Sequence, residues 1–220
     1  MSSTDVAIVV AVGPLDRGKS RLGPMLAPAD RRRLVLAMLD DVLAAVGAAH
    51  DGPRFVVTPD PEVDPLVLAH GAAVIRDGGG GTNAAIEAAL ADGRVAAAEA
   101  VLVVQGDLPH LAAGHVRDCL DELASSPRLG LLVASDDGGT LALGIRPPNA
   151  MLTAFGAQSG QRHREAAATA GLELRELQIS QLAADVDTVE DLEQVRAAVG
   201  PATAAVLEAL TVITGDGASL

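Results

Sequence analysis

Residues 13–20 carry side chains and glycines of the kind that bind phosphate. Gly13, Gly18, Lys19 and Ser20 satisfy G-x-x-x-x-G-K-S, the pattern of a P-loop, in which backbone amides and a lysine hold the phosphates of a nucleotide. The preceding run, residues 6–12, is apolar and predicts a buried strand, which is the context that a P-loop needs. A P-loop NTPase is therefore one hypothesis for the function of this chain.

The residues after the motif argue against that hypothesis. In a P-loop, an α-helix begins at the Gly-Lys-Ser and directs its amides and its dipole at the phosphates. Here Gly23, Pro24 and Pro28 would break such a helix within its first two turns, and Pro14 removes one amide from the loop. The sequence therefore favours a different structure around the lysine.

We interpret residues 13–27 as a long irregular loop that carries Arg17, Lys19 and Arg21 over the carboxyl end of the first strand. Ligands bind at that edge of open α/β sheets. Lys19 is the only lysine in the chain, and an ammonium differs from a guanidinium in how it contacts a phosphate. The alternative is a solvated basic loop without a ligand.

The composition limits the classes of partner. The formal charge is −13, from 29 acidic and 16 basic side chains, which argues against a nucleic-acid surface. A small polyphosphate stays compatible with this charge, because metal ions can mediate between carboxylates and phosphates. Phe55 and Phe155 are the only aromatic residues besides histidine, so a purine would be read by polar and backbone groups.

The cysteine content and the hydropathy predict a cytoplasmic protein without a membrane partner. The single cysteine, Cys119, excludes an intramolecular disulfide and is expected to be a buried structural thiol. No stretch is long and apolar enough to span a bilayer, and the first residues, MSSTD, lack a signal-peptide pattern. The oligomeric state stays open, with a homodimer among the alternatives.

Strands and helices alternate along the chain, which predicts an α/β fold: one domain with a mostly parallel sheet and helices on both faces. We expect one domain over residues 1–210 and a flexible C-terminal tail over residues 211–220. The predicted strands are residues 6–12, 55–58, 73–75, 100–104, 129–134, 140–145 and 172–177. The predicted helices are residues 28–48, 65–70, 83–90, 114–124, 159–170 and 201–210, with a further helix after the loop 184–192.

Five motifs in order resemble the CofC/FbiD family, which makes the guanylylated precursor of the deazaflavin coenzyme F420. They are GKSRL, AMLDDVLAA, GGTNAAI, QGDLP and DVDTVEDL. The resemblance implies a nucleotidyltransferase of the glycosyltransferase-A-like fold. It also implies transfer of GMP from GTP to phosphoenolpyruvate or 2-phospho-L-lactate, release of pyrophosphate, and the use of two magnesium ions.

The resemblance assigns metal binding to Asp107, Asp185 and Asp187. Asp107 ends the fourth predicted strand, and the alternation of an extended Asp-Val-Asp segment puts its two carboxylates on one side. Lys19 and Arg21 would be catalytic with Asp107, holding the triphosphate and the departing pyrophosphate. The alternative for Asp187 is that it only caps the following helix.

The remaining site residues fall into a nucleotide set and an acceptor set. Glycines 78–81 would let the backbone approach the nucleotide, and Asn83 would contact the guanine or ribose; a flexible turn and a helix cap are the alternatives. The predicted nucleotide-binding residues are Lys19, Arg21, Gly80, Gly81, Asn83 and Gln105. For the phosphorylated acid, the resemblance points to Thr140, Gly156 and Ser159. Arg162 and His163 follow these, and we expect His163 to lie on a helix surface.

The chain departs from the family pattern at Gly13, where relatives have a lysine. One phosphate cation is then missing, and Arg17 is the candidate to replace it. The alternatives to a phosphoenolpyruvate guanylyltransferase are a 2-phospho-L-lactate guanylyltransferase, a molybdopterin cytidylyltransferase, a nucleotide-binding module without activity, and a P-loop GTPase.

Overall fold

The computed structural model describes residues 5–24, 26–179, 182 and 199–215, with the backbone alone at Arg21 and residues 211–215. Strands and helices alternate, as the sequence predicts. The strands are β1 (Val6–Ala11), β2 (Arg54–Thr58), β3 (Ala73–Arg76), β4 (Ala100–Gln105), β5 (Leu129–Ala134), β6 (Thr140–Arg146) and β7 (Glu173–Glu176). The helices are α1 (Pro28–Ala49), α2 (Asp64–Ala69), α3 (Thr82–Ala91), α4 (Gly93–Ala96), α5 (Ala113–Ala124), α6 (Ser159–Thr169) and α7 (Pro201–Gly215).

The described strands form a seven-stranded sheet in the order β3-β2-β1-β4-β6-β5-β7. Only β6 runs against the others, because it pairs antiparallel with both β4 and β5 while the other pairings are parallel. The mostly parallel sheet is confirmed. At its centre, Ala11 of β1 is level with Gln105 of β4, so the loops that follow these two strands leave the same edge of the sheet side by side.

Helices cover both faces of the sheet, as predicted. The strands have apolar residues facing each way, and in β1 Ile8 and Val10 join one core while Ala7 and Val9 join the other. Helices α1, α2 and α5 pack on the first face, and α3, α4 and α6 pack on the second. Since both faces are apolar, the polar groups that can bind a ligand are left to the loops at the strand ends.

The loop after β1 confirms that the glycine-lysine-serine pattern is not a P-loop. A single 3₁₀ turn, Ser20–Leu22, follows Lys19, and the next α-helix begins only at Pro28. Gly18 lies against α1, where a Cβ would stand 2.7 Å from Val35 Cγ2. This close approach requires a residue without a side chain and fixes the path of the loop into Lys19.

Helix α7 begins on a carboxylate of α1. The Asp41 side chain is buried and accepts hydrogen bonds from the backbone N–H groups of Ala202 and Thr203, at 3.0 and 2.8 Å. A Cβ on Gly200 would lie 2.2 Å from Asp41 Cγ, so glycine is required there. The helix continues to Gly215, five residues past the predicted end, because no glycine or proline interrupts it earlier.

Cys119 is buried in α5, and burial raises the pKa of its thiol to about 12. This agrees with the expected structural thiol. Along the described parts of the chain, none of the helices has the length and apolar character needed to span a membrane.

Candidate active site

A cleft crosses the sheet edge at the carboxyl ends of β1, β3 and β4. It consists of two adjoining cavities of about 200 and 230 Å³. The loop after β1 lines both cavities, together with Thr82 at the start of α3 and Gln105 at the end of β4. The first cavity extends to the glycine-rich loop after β3, and the second extends to Lys19 and Asp107. The cleft therefore has two ends with different chemistry.

The basic end contains an ion pair between a buried Lys19 side chain and a half-exposed Asp107. Lys19 Nζ lies 2.8 Å from Asp107 Oδ2, and the lysine side chain is only 4% exposed while that of the aspartate is 47% exposed. Lys19 has a left-handed backbone conformation, with φ 49° and ψ 41°. A non-glycine residue in this region stores strain and is typical of functional sites. The structure thus brings together two of the three predicted catalytic residues.

The other cations of the loop have different positions. Arg17 is exposed and lines both cavities, and its replacement of the lysine missing at Gly13 stays a prediction. The Arg21 side chain, Asp185 and Asp187 lie outside what the structure describes, so their predicted roles stay predictions. Within the described ranges, no three carboxylate, histidine or cysteine side chains are grouped to hold a metal ion. Asp107 fits one ligand of a divalent cation, because its carboxylate is half exposed at the cleft.

The glycine-rich loop closes the other end of the cleft. Gly79 and Gly81 have φ values of 76° and 89°, a region that strongly favours glycine. Asp77 begins the loop, and its Oδ2 accepts a hydrogen bond from the Gly79 N–H at 3.1 Å. Gly79 and Gly81 line the first cavity, so the loop faces the cleft at these two residues, and its contact with a nucleotide stays a prediction.

Asn83 joins α3 to the loop before α6. Its Nδ2 donates to the Phe155 carbonyl at 3.0 Å, and its Oδ1 accepts from the Phe155 N–H at 2.7 Å. Its side chain also does not cap α3. The predicted contact with guanine or ribose stays a prediction, but both polar atoms of the amide already have partners in the protein.

Thr140 and Ser159, predicted to bind the acceptor, lie together in a buried network. Their hydroxyl oxygens are 2.8 Å apart, and the Thr140 hydroxyl is 3.0 Å from His163 Nδ1. His163 Nε2 accepts from the Ala154 N–H at 2.9 Å, so in the neutral ring Nδ1 carries the proton and donates to Thr140. Burial, together with the charge of Arg162, lowers the pKa of His163 to about 4.

The surface position expected for His163 is wrong, because the ring is fully buried and edge-on to Phe155. Sequence spacing gave no sign of this, since the partners of the ring come from β6 and from the loop before α6. Arg162, its neighbour, donates to the carbonyls of Ala154, Phe155 and Ala157. Gly156 lies in the same loop with φ 117°. The predicted acceptor residues therefore lie in, or are hydrogen-bonded near, one loop before α6.

Similarity to known proteins shows which reaction this chain catalyses. A family model described as guanylyl transferase CofC like matches residues 6–204. The chain belongs to this family. It is 41% identical over 189 residues to a phosphoenolpyruvate guanylyltransferase of Sphaerobacter thermophilus, with 84% of this chain and 90% of the relative covered. It is 40% identical over 213 residues to a 3-phospho-D-glycerate guanylyltransferase of Phenylobacterium zucineum, with 93% and 95% covered.

Solved structures confirm the glycosyltransferase-A-like nucleotidyltransferase fold of this family member. A nucleotidyl transferase from Methanothermobacter superposes with a TM-score of 0.66 at 17% identity, covering 87% of this chain and 96% of the other. A CMP:2-keto-3-deoxy-manno-octonic acid synthetase complexed with CTP gives 0.61 at 18% identity, covering 88% and 97%. Membership of the guanylyltransferase family, together with this fold, makes the chain an enzyme that transfers a guanylyl group, so the P-loop GTPase and the inactive binding module are wrong.

Proposed function

We propose that this enzyme transfers GMP from GTP to phosphoenolpyruvate and releases pyrophosphate, giving enolpyruvoyl-diphospho-guanosine for coenzyme F420. The observation that carries the proposal is the Lys19–Asp107 pair in the basic end of the cleft. Transfer between two phosphate compounds needs a fixed cation for the triphosphate and a carboxylate that can hold a divalent cation. Both groups are present at one point, between the ends of β1 and β4.

In this proposal the guanosine lies toward the glycine-rich loop, and the triphosphate lies toward Lys19 and Arg17. The Lys19 ammonium leaves Asp107 for the triphosphate and neutralises the charge that develops on the departing pyrophosphate. Arg17, which lines both cavities, supplies a second positive charge where Gly13 replaces a lysine. The low exposure of Lys19 strengthens its contact with phosphate, because little water competes for the ammonium.

Asp107, Asp185 and Asp187 are the residues proposed to hold magnesium, with two ions as the expected number. When bound, magnesium supplies positive charge to the reacting phosphates and aligns the attacking and leaving oxygens. Asp107 is free to turn to this role once Lys19 contacts the triphosphate.

The acceptor binds, in this proposal, beside the loop that Arg162 and His163 hold. Thr140 and Ser159 are buried and act as its support, while the backbone around Gly156 contacts the acid. A phosphate oxygen of the acceptor forms a bond to the α-phosphorus of GTP, and the bond to the bridging oxygen of the leaving pyrophosphate breaks. The attacking oxygen is already ionised, so this chain needs no general base.

A second acceptor, 3-phospho-D-glycerate, is favoured by the relative that acts on it at 40% identity over most of both chains. 2-Phospho-L-lactate is the third candidate. All three are phosphorylated three-carbon acids, so the same loop fits each of them. A cytoplasmic location, where nucleoside triphosphates are available, is part of the same proposal.

The test measures pyrophosphate release from GTP and magnesium with each acid in turn, and without any acid. We expect release only when an acid is present, with the highest kcat/KM for phosphoenolpyruvate. A higher value for 3-phospho-D-glycerate or 2-phospho-L-lactate would change the acceptor and keep the reaction. Release without an acid, or none with any acid, would contradict the proposed transfer, and a preference for CTP would identify a cytidylyltransferase.

A further inference from the structure

Asp77 has a buried carboxylate oxygen that accepts no hydrogen bond from the part of the chain that the structure describes. The residue follows β3 directly and is 8% exposed. Its Oδ2 accepts from the Gly79 N–H, but its Oδ1 is buried and accepts from no described residue. A buried carboxylate normally accepts several hydrogen bonds, so an unpaired oxygen indicates a partner that arrives from outside the chain.

The position of Asp77 in the cleft points to a nucleotide as that partner. Asp77 lines the first cavity with Gly79, Gly81, Thr82 and Gln105. Strand β3 is three strands away from β4 in the sheet, which is about 14 Å at the usual strand spacing. A nucleotide with its phosphates at Asp107 places its base at that distance, whereas its ribose lies closer to the phosphates.

We propose that Asp77 selects guanine by accepting hydrogen bonds from the N1–H and the N2 amino group of the base. This inference rests on the proposed use of GTP and identifies the residue that reads its base. Guanine presents two adjacent donors, which match the two oxygens of a carboxylate. Adenine and cytosine present one donor beside an acceptor, and uracil presents one donor between two acceptors, so each would set a lone pair against Asp77.

The amide predicted to contact the guanine cannot take this role without giving up its own contacts. Asn83 uses its oxygen and its amino group on the backbone of Phe155. The chain has no tryptophan or tyrosine, so base selection depends on polar groups. Asp77 is the buried polar side chain in the described lining of the first cavity that retains an unpaired atom.

The test compares the wild type with Asp77→Asn. Asparagine has the same shape, and its Oδ1 can still accept from the Gly79 N–H, so the turn is preserved. Asp92→Asn is the matched control, because Asp92 also accepts from the N–H two residues on, that of Arg94, at 2.9 Å and does not line the cleft. Calorimetry measures the Kd of GTP, ITP, XTP and 2′-deoxy-GTP, and pyrophosphate release measures kcat/KM for each.

For the wild type and Asp92→Asn, we expect GTP to bind about 10- to 100-fold more tightly than ITP, which lacks the N2 amino group and loses one hydrogen bond to a charged acceptor. In Asp77→Asn this ratio falls to within threefold of one. XTP, which has an acceptor in place of the amino group, gains relative to GTP because the amide can donate to it.

An unchanged GTP-to-ITP ratio in Asp77→Asn would overturn the inference, and a ratio of GTP to 2′-deoxy-GTP that collapses instead would assign Asp77 to the ribose. Either result with normal guanylyl transfer leaves the proposed function intact. Conversely, a GTP-to-ITP ratio that depends on Asp77, with no product from any acid, supports the inference and removes the proposed function.

Discussion

At the scale of single residues, Lys19 is the side chain on which the proposed chemistry depends most. It is the only lysine in a chain with fifteen arginines, and it is buried on an aspartate at the end of β4. Its left-handed backbone conformation holds the ammonium at the cleft at some cost in strain. A compact ammonium can move from a carboxylate to a phosphate oxygen within the same small space, which a planar guanidinium cannot do as easily.

Lys19→Met should lower kcat/KM by about 10²- to 10³-fold. It removes an ammonium whose attraction to the phosphates is stronger in the transition state than in the bound substrate. The melting temperature should change little, since the freed Asp107 carboxylate is half exposed. Lys19→Arg should recover only part of the loss. Arg33→Met, which removes an exposed cation paired with Asp30 on α1, is the control and should stay within twofold of the wild type. A kcat/KM for Lys19→Met that also stays within twofold of the wild type would contradict the role proposed for Lys19.

His163 makes the stability depend on pH, and the sign follows from its pKa. The value is lowered from 6.5 to about 4 in the folded chain, so the unfolded chain binds more protons between these two values. Its contribution is therefore fully present above pH 6.5 and is lost as the pH falls toward 4. From pH 7 to pH 4.5 the loss is about 2 kcal/mol.

Urea denaturation at pH 7 and pH 4.5 measures this loss. We expect the difference in unfolding free energy between wild type and His163→Gln to shrink by about 2 kcal/mol at the lower pH. Burial also lowers the pKa of His50, but His50 is present in both proteins and cancels in the comparison. A difference that does not depend on pH would show that His163 is not kept neutral by the fold.

At the scale of the elements, Asn83 connects the two halves of the site. Asn83 lies at the start of α3, the helix that follows the glycine-rich loop. From there it binds the backbone of Phe155 in the loop before α6, beside which the acid is proposed to bind. Asn83→Asp keeps the acceptor for the Phe155 N–H but replaces the donor by an oxygen that repels the Phe155 carbonyl. We expect the KM for the acid to rise about tenfold while the KM for GTP changes less than threefold. A KM for GTP that rises about tenfold, with little change in the KM for the acid, would show that Asn83 contacts the nucleotide.

Helix α7 is held to α1 by the buried cap at Asp41. Asp41→Ala should lower the unfolding free energy by about 2 kcal/mol, because two amides at the helix start lose their acceptor. Asp118→Ala on the exposed face of α5 is the control and should stay within about 0.5 kcal/mol of the wild type. Equal urea midpoints for the two variants would contradict the cap.

Local patterns predicted the elements well, because the apolar runs and the proline and glycine positions are strong signals in this chain. The predicted strand 129–134 agrees with β5 residue for residue, and the prolines around Lys19 correctly excluded a P-loop. The insertion of β6 between β4 and β5 was not predicted. It depends on pairing between strands about 40 residues apart, and alternation within a strand carries no information on its neighbours.

The site was predicted less completely than the fold. Lys19, Asp107, Gly81 and Gln105 were found from motifs and lie on the cleft. The sequence did not predict the unpaired oxygen of Asp77 or the buried contacts of His163, because both depend on how distant parts of the chain pack around these side chains. An aspartate directly before four glycines was the available signal for Asp77.

At the scale of the whole molecule, the chain has a net charge of −13, yet both proposed substrates, GTP and the phosphorylated acid, are anions. Two of its sixteen basic side chains, Lys19 and Arg17, lie on one loop of the sheet edge and line the cleft. The mostly parallel sheet provides this edge, since its strand ends place residues from the β1, β3 and β4 loops on one cleft. The family relationship then explains why this cleft transfers a nucleotide instead of hydrolysing it.

The most direct test of this account is ³¹P NMR of the purified enzyme with GTP, magnesium and phosphoenolpyruvate. The account predicts free pyrophosphate together with a new pair of coupled diphosphate resonances, from the α-phosphorus of GTP joined to the phosphorus of the acid. Formation of GDP and inorganic phosphate, or pyrophosphate with free GMP, would contradict it.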